Sequence, residues 1–158
     1  MLSYGAMKVF RRLTATALAL GALAWATGPT TASADEAAAL ATVNTDGYKL
    51  VVTDGSGLVG KETHILVTVT AKNGYKINEK YPHKIKLAAA ADGLELPQPT
   101  LKKKDAKIDG KKKLTFRVPV KATRAGTFEV SGKIKLSVCN EKSCLIDKKK
   151  LSAKLTAK

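Results

Sequence analysis

Residues 126–138 read GTFEVSGKIKLSV, and the alternation of their side chains is the strongest structural signal in the chain. One face of this segment carries five apolar residues, Phe128, Val130, Ile134, Leu136 and Val138. A period of two residues is typical of a strand that buries one face and exposes the other. Gly132 interrupts the apolar set and predicts a bulge or kink. The segment therefore predicts a long, half-buried β-strand.

Similar segments lie on the amino-terminal side of this strand and after it. The candidate strands are YKLVVT (48–53), THILVTVTA (63–71), HKIKL (83–87), KLTFRVPVK (113–121) and KLSAKL (150–155). A further segment, 94–101, contains Pro97 and Pro99, which restrict it to an edge strand or an extended crossing. No amphipathic period of helical length occurs after residue 34. The pattern predicts an all-β fold, an immunoglobulin-like antiparallel β-sandwich of about seven to eight strands.

The amino-terminal segment has the order of features found in a signal peptide. Lys8, Arg11 and Arg12 precede an apolar run at 13–26, and Ala-Ser-Ala at 32–34 has the small residues of a cleavage site. The run is shorter than the roughly 20 residues that span a bilayer, although an uncleaved anchor is the alternative. We expect a signal peptide at 1–34, a flexible leader at 35–42 and a single domain at 43–158. The protein is then periplasmic or secreted.

Composition excludes several classes of protein. The chain has 158 residues, 28 Lys and Arg against 13 Asp and Glu, and only two cysteines. Two cysteines are too few for a disulfide-dense miniprotein or a four-cysteine zinc site. A hydrophobic fraction of 44% excludes wholesale disorder. No nucleophile elbow, glycine-rich phosphate loop or close carboxylate pair indicates hydrolysis, and we expect no cofactor.

The two cysteines lie in the motif Cys139-Asn140-Glu141-Lys142-Ser143-Cys144. In an exported protein they are expected to form a disulfide across a tight turn between adjacent strands. The apolar residues of its strand have even numbers and Cys139 has an odd number, so its side chain has outward parity: it is expected to point away from the core. The pair is therefore expected at an exposed end of the sandwich. So short a ring stabilises a fold by only about 2 kcal/mol. The residues alone leave open whether the disulfide is a structural staple or a redox pair.

A larger set of residues resembles the N-terminal periplasmic domain of the thiol:disulfide interchange protein DsbD family. The resemblance comprises the segments VTVTAKNGY (67–75), IKL (85–87), LTFRVPV (114–120), Gly126 and CNEKSCL (139–145). Domains of that family are immunoglobulin-like and pass electrons through a cysteine pair. The resemblance implies that Cys139 and Cys144 exchange disulfides with envelope proteins, supplied by a thioredoxin-like or membrane electron donor. The alternative is a non-catalytic structural or protein-binding sandwich that keeps the disulfide as a staple.

Lysine is concentrated in three runs, 102–104, 111–113 and 148–150. The segment 102–113 predicts a solvated loop or hairpin. In an exported protein such charge favours acidic proteins or anionic envelope surfaces as partners. Nucleic acid is disfavoured, because the aromatic residues that stack on bases in single-strand binders are missing. A metal site would have to combine His64 and His83 with the cysteines, and no pair of these residues has metal-ligand spacing.

Overall fold

The structure, a computed structural model, describes residues 40–158. The segments that alternate in the sequence are β-strands. Twelve strands are present in this part: β1 Leu40–Asn44, β2 Tyr48–Thr53, β3 Gly55–Gly57, β4 Glu62–Ala71, β5 Lys76–Ile77, β6 Lys84–Leu87, β7 Leu94–Glu95, β8 Thr100–Lys102, β9 Ala106–Asp109, β10 Lys113–Ala122, β11 Gly126–Cys139 and β12 Cys144–Ala157. A single 3-10 turn, Lys103–Asp105, separates β8 from β9. The predicted signal peptide and residues 35–39 of the predicted leader lie outside the described residues.

The strands form two sheets. The first has the order β1-β2-β4-β10-β7, with β9 also paired to β10. The second has the order β3-β12-β11-β6-β8, with β5 also paired to β11. The pairs are antiparallel apart from β3 with β12. This confirms the predicted all-β antiparallel sandwich. The strands outnumber the seven to eight expected because several are only two to four residues long.

One hydrophobic core fills the space between the sheets. The five apolar residues predicted to share a face of β11 are all buried. They belong to the same apolar cluster as Val67 on β4 and Leu114 and Phe116 on β10, which come from the opposite sheet. Burial of apolar surface is the main force that holds two such sheets together. The period-two pattern therefore predicted the inward faces of the main strands.

Two segments differ from their prediction, and two agree with it. The last strand begins at Cys144 rather than Lys150, so the cysteine turn opens directly into β12. Strand β1 pairs with β2 from Leu40, so the last three residues of the predicted leader belong to the first sheet. The proline-containing segment 94–101 is a crossing, as expected, because β7 pairs in the first sheet and β8 in the second. The lysine-rich segment 102–113 forms a hairpin in which β9 pairs with β10.

Gly132 does not form a β-bulge, so that part of the prediction was wrong. The register between β11 and β12 continues without interruption from Gly126 opposite Ala157 to Cys139 opposite Cys144. A Cβ atom at Gly132 would instead lie 2.7 Å from the carbonyl oxygen of Lys86 and 3.0 Å from the Cα of Leu87. Glycine is required here because the backbone of β6 approaches the backbone of β11 too closely for a side chain.

No helix in the part of the chain described here is long and apolar enough to cross a membrane.

We expect Gly132→Ala to destabilise the fold by about 1–3 kcal/mol, because the added methyl group has backbone rather than a flexible side chain to displace. Chemical denaturation measures the loss. Thr127→Ala, at an exposed position on the same strand, is the matched control and should change the free energy of unfolding little. Equal stability of Gly132→Ala and the wild-type protein would contradict the close approach of β6.

Candidate functional site

The β11–β12 register places the two cysteines directly opposite one another. Cys139 ends β11, Cys144 begins β12, and the two residues are paired across the ladder. Their sulfur atoms form a disulfide with an S–S distance of 2.01 Å. Only the four residues 140–143 connect the strands, so the disulfide crosses the last rung of the hairpin. The disulfide expected from the sequence is therefore present at the end of the two longest strands.

The turn is also closed by hydrogen bonds that do not involve sulfur. The backbone N–H of Asn140 donates to the carbonyl oxygen of Ser143 at 2.9 Å. The side-chain oxygen of Asn140 accepts from the backbone N–H groups of Lys142 at 2.9 Å and Ser143 at 2.7 Å. An asparagine side chain that accepts from the following backbone is a common way to stabilise a turn. The hairpin therefore holds the two cysteine positions together by means other than their covalent bond.

The disulfide lies on the solvent side of the second sheet. Val138 beside it is buried, whereas Cys139 is half-buried and Cys144 is exposed. This agrees with the outward parity expected for Cys139. Cys144 is thus the more exposed residue of the pair.

A surface cleft of about 770 Å³ lies beside Cys139, between the turn and residues 73–80. Its charged lining residues are Lys76, Lys80, Lys111, Lys142, Glu79 and Glu141. Lysine outnumbers glutamate in this lining, and Lys76 is the β5 residue paired with Cys139. Positive charge near a cysteine favours the thiolate over the thiol.

A buried tyrosine links the two sheets behind the turn. The hydroxyl of Tyr48, a residue only 1% exposed on β2, donates to Asp147 Oδ2 on β12 at 2.6 Å. Lys149 Nζ lies 3.1 Å from the same oxygen, and the Lys148 N–H donates to Oδ1 at 2.7 Å. Burial alone would raise the pKa of Asp147, but the hydrogen bonds from Tyr48, Lys149 and Lys148 outweigh burial and hold that pKa below its usual range. Sequence reasoning missed this link, because its partners are 99 residues apart.

The two histidines do not join the cysteines. His83 is 1% exposed, and its Nε2 lies 2.8 Å from the carbonyl oxygen of Asn78. Burial is the main cause that lowers the pKa of His83, so the ring is neutral at pH 7. His64 lies in the other sheet, on β4, where its nearest charged partner is Glu62 at 3.8 Å. Within residues 40–158, no three His, Cys, Asp or Glu side chains come close enough to hold a metal ion.

The lysine runs do not form one patch. Lys111 lines the cleft beside Cys139, and the adjacent Lys113 begins β10 in the first sheet. Lys102, Lys148 and Lys150 are in the second sheet. The positions of these lysines therefore depend on strand register rather than on adjacency in the sequence.

No protein-family model matches the chain, and no curated protein matches it. Among solved structures, the chain is similar to AggA, the major subunit of aggregative adherence fimbriae type I from Escherichia coli. The TM-score is 0.37 at 12% sequence identity, and the alignment covers 73% of this chain and 98% of the fimbrial subunit. A TM-score this low carries no conclusion about this chain.

We expect Tyr48→Phe to destabilise the protein by about 1.5–3 kcal/mol at neutral pH, the usual value of a hydrogen bond to a charged group. The pKa of Asp147 is lowered in the folded state, so this stabilisation is present above the unfolded carboxyl pKa of about 3.9 and is lost as the pH falls through the folded pKa. Denaturation at several pH values should show the difference between the two proteins shrinking below about pH 4.

The control for this experiment is Tyr81→Phe. The hydroxyl of Tyr81 makes no hydrogen bond within the part of the chain that the structure describes. A loss of stability in Tyr48→Phe that is the same at pH 3 and pH 7 would show that Asp147 is not involved.

Proposed function

We propose that the protein is an exported thiol:disulfide exchange domain in which Cys139 and Cys144 are the redox pair. The observation that carries this proposal is the exposed disulfide at the end of an uninterrupted ladder. The ladder and the Asn140 turn keep the two cysteine positions paired whether or not the bond exists. A bond that the fold does not need, and that solvent reaches, is suited to repeated cleavage and formation.

The chemistry proceeds by two thiolate attacks. In the reduced protein, the Cys144 thiolate attacks a sulfur atom of the partner disulfide, forms a mixed disulfide and releases one partner thiolate, which takes up a proton. The Cys139 thiolate then attacks the Cys144 sulfur and releases the second partner thiolate. Two electrons pass to the partner, and the Cys139–Cys144 disulfide forms. Cys144 is assigned the partner-facing role because it is the more exposed of the two.

The charges around the pair support this chemistry. Lys76 is paired with Cys139 in the β5–β11 register, and Lys142 lies within the turn. Both residues line the cleft beside Cys139. Their positive charge lowers the cost of forming a thiolate and attracts partners with acidic surfaces.

The proposal depends on export, because structural and catalytic disulfides persist in oxidising compartments. The signal-like segment 1–34 supports a periplasmic or secreted location. The resemblance to the DsbD N-terminal domain supports envelope thiol proteins as partners, with a thioredoxin-like or membrane donor to restore the dithiol.

A second candidate is a non-catalytic, protein-binding sandwich in which the disulfide is only a staple. Leu145 and Ile146, directly after Cys144, are 36% and 67% exposed, and apolar side chains at a rigid tip could contact a protein. The two candidates differ in what happens when the disulfide is reduced. The disulfide of a redox pair can be reduced without disturbing the fold, whereas a structural disulfide that stabilises the fold resists reduction.

We expect the disulfide to have a reduction potential above roughly −300 mV, the upper bound typical of structural disulfides. Reduction should cost no more than about 2 kcal/mol of stability, because the ring that it opens is short. Equilibration of the folded protein in dithiol redox buffers measures the potential, and circular dichroism follows the fold. A potential well below −300 mV together with unfolding on reduction would leave the staple as the explanation.

We expect single cysteine variants to trap partners unequally. Cys139→Ser leaves the exposed Cys144 without a resolving thiol, so mixed disulfides with envelope proteins should accumulate. Cys144→Ser leaves the half-buried Cys139 and should trap several-fold less. Non-reducing electrophoresis detects the adducts, and the double serine variant is the control. Equal absence of adducts from both single variants in the exported protein would falsify the exchange role.

A further inference from the structure

Four strands of the second sheet bring lysines from distant parts of the sequence into one row on the solvent side. Lys135 on β11 is paired with Lys148 on β12 and with Lys84 on β6. Lys84 is in turn paired with Lys102 on β8. All four side chains are exposed. Neighbouring strands lie about 4.8 Å apart, so this row places four positive charges side by side across the sheet.

A second row lies immediately beside the first. Lys133 on β11 is paired with Lys150 on β12 and with Lys86 on β6, and these three side chains are also exposed. Residues two apart on a strand point to the same side, about 6.7 Å from each other. The two rows therefore form a grid of seven lysines, which we call the lysine face.

No side chain of the lysine face forms an ion pair within the described part of the chain. The carboxylates that lie within 4.0 Å of a basic group there are Glu62, Glu95, Asp92 and Asp147, and their partners are His64, Lys121, Arg124 and Lys149. None of these partners belongs to the lysine face. Like charges directly opposite on a sheet destabilise it, so the grid costs the fold stability. Its charges are closer together than the Debye length of about 8 Å, and their fields add.

An exposed apolar residue borders the lysine face. Ile146 is 67% exposed, and it lies two residues before Lys148 on the same side of β12. Ser137 is its partner across the ladder. The outward positions of the four strands include no arginine and no aromatic residue. The surface thus combines a grid of point charges with one protruding aliphatic side chain.

We propose that the lysine face binds the surface of a lipid bilayer that contains anionic phospholipids, with Ile146 inserted among the acyl chains at its border. This inference is independent of the thiol chemistry proposed above. A two-dimensional grid can engage many headgroups of a membrane surface at once, whereas a linear polymer follows one row. Basic residues near an anionic membrane and an inserted apolar side chain contribute together to binding at such an interface.

The other anionic partners fit the surface less well. Single-stranded nucleic acid binders use aromatic side chains on which the bases stack, and the lysine face has none. Specific recognition of carboxylates on an acidic protein favours the planar, bidentate arginine side chain, which the face also lacks. The lysine ammonium group supplies positive charge without a fixed hydrogen-bond geometry. This suits the mobile headgroups of a membrane surface.

The test is co-sedimentation of the exported protein with vesicles of phosphatidylcholine mixed with phosphatidylglycerol, compared with vesicles of phosphatidylcholine alone. The variant is Lys133→Glu with Lys135→Glu, at the centre of the grid. We expect it to lower the partition coefficient at least about 100-fold, because each lysine near an anionic membrane is worth about fivefold and each change reverses a charge. Its thermal midpoint should not fall, because each new carboxylate lies between two lysines.

Two further variants are controls: the first separates the lysine face from net charge, and the second tests the apolar contact of Ile146. Lys49→Glu with Lys107→Glu makes the same change of charge on exposed residues of the first sheet, and it should lower vesicle binding less than about tenfold. Ile146→Ser should weaken binding about tenfold without changing its salt dependence.

Three results would overturn the proposal. One is equal loss of binding in the two double variants, which would show that net charge alone matters. Another is equal binding of the wild-type protein to both kinds of vesicle. The third is tighter binding to soluble heparin or to single-stranded DNA than to the mixed vesicles, with the same dependence on Lys133 and Lys135.

Discussion

The ladder between β11 and β12 is the constraint on which the rest of the structure depends. It pairs fourteen residues of each strand in one register, from Gly126 opposite Ala157 to Cys139 opposite Cys144. Because side chains alternate between the two sides of a strand, a shift of one residue would exchange the buried and exposed sets. The buried set, which includes Ile134, Leu136 and Leu151, therefore fixes the register through the hydrophobic effect.

The same register places the functional groups. Outward parity puts the disulfide, Ile146 and the lysine face on one side of the second sheet, while the core occupies the other. The proposed redox site and the proposed membrane-binding surface thus share strands without sharing residues. Lysines brought opposite one another cost stability, and the large core between the sheets offsets that cost.

The turn at the end of the ladder is closed by contacts other than the disulfide. Asn140 satisfies the turn with hydrogen bonds, and the strands supply the alignment of the cysteines. Tyr48 and Asp147 tie the first sheet to the second just behind this turn, so the tip is anchored to the sandwich by contacts other than sulfur. A rigid support of this kind would hold two thiols near each other in the reduced state, which thiol exchange requires.

The sequence by itself determined the class of fold, the inward faces of the main strands and the outward parity of Cys139. These features follow from the period of two residues, which is a local property. The tertiary structure decided what depends on non-local partners. The grid of lysines exists only because β6, β8, β11 and β12 are neighbours in one sheet. The link from Tyr48 to Asp147 exists only because the two sheets pack together. The close approach at Gly132 exists only because β6 lies beside β11. The early start of β12 was also hidden, since residues 145–149 do not alternate and their strand conformation comes from pairing with β11.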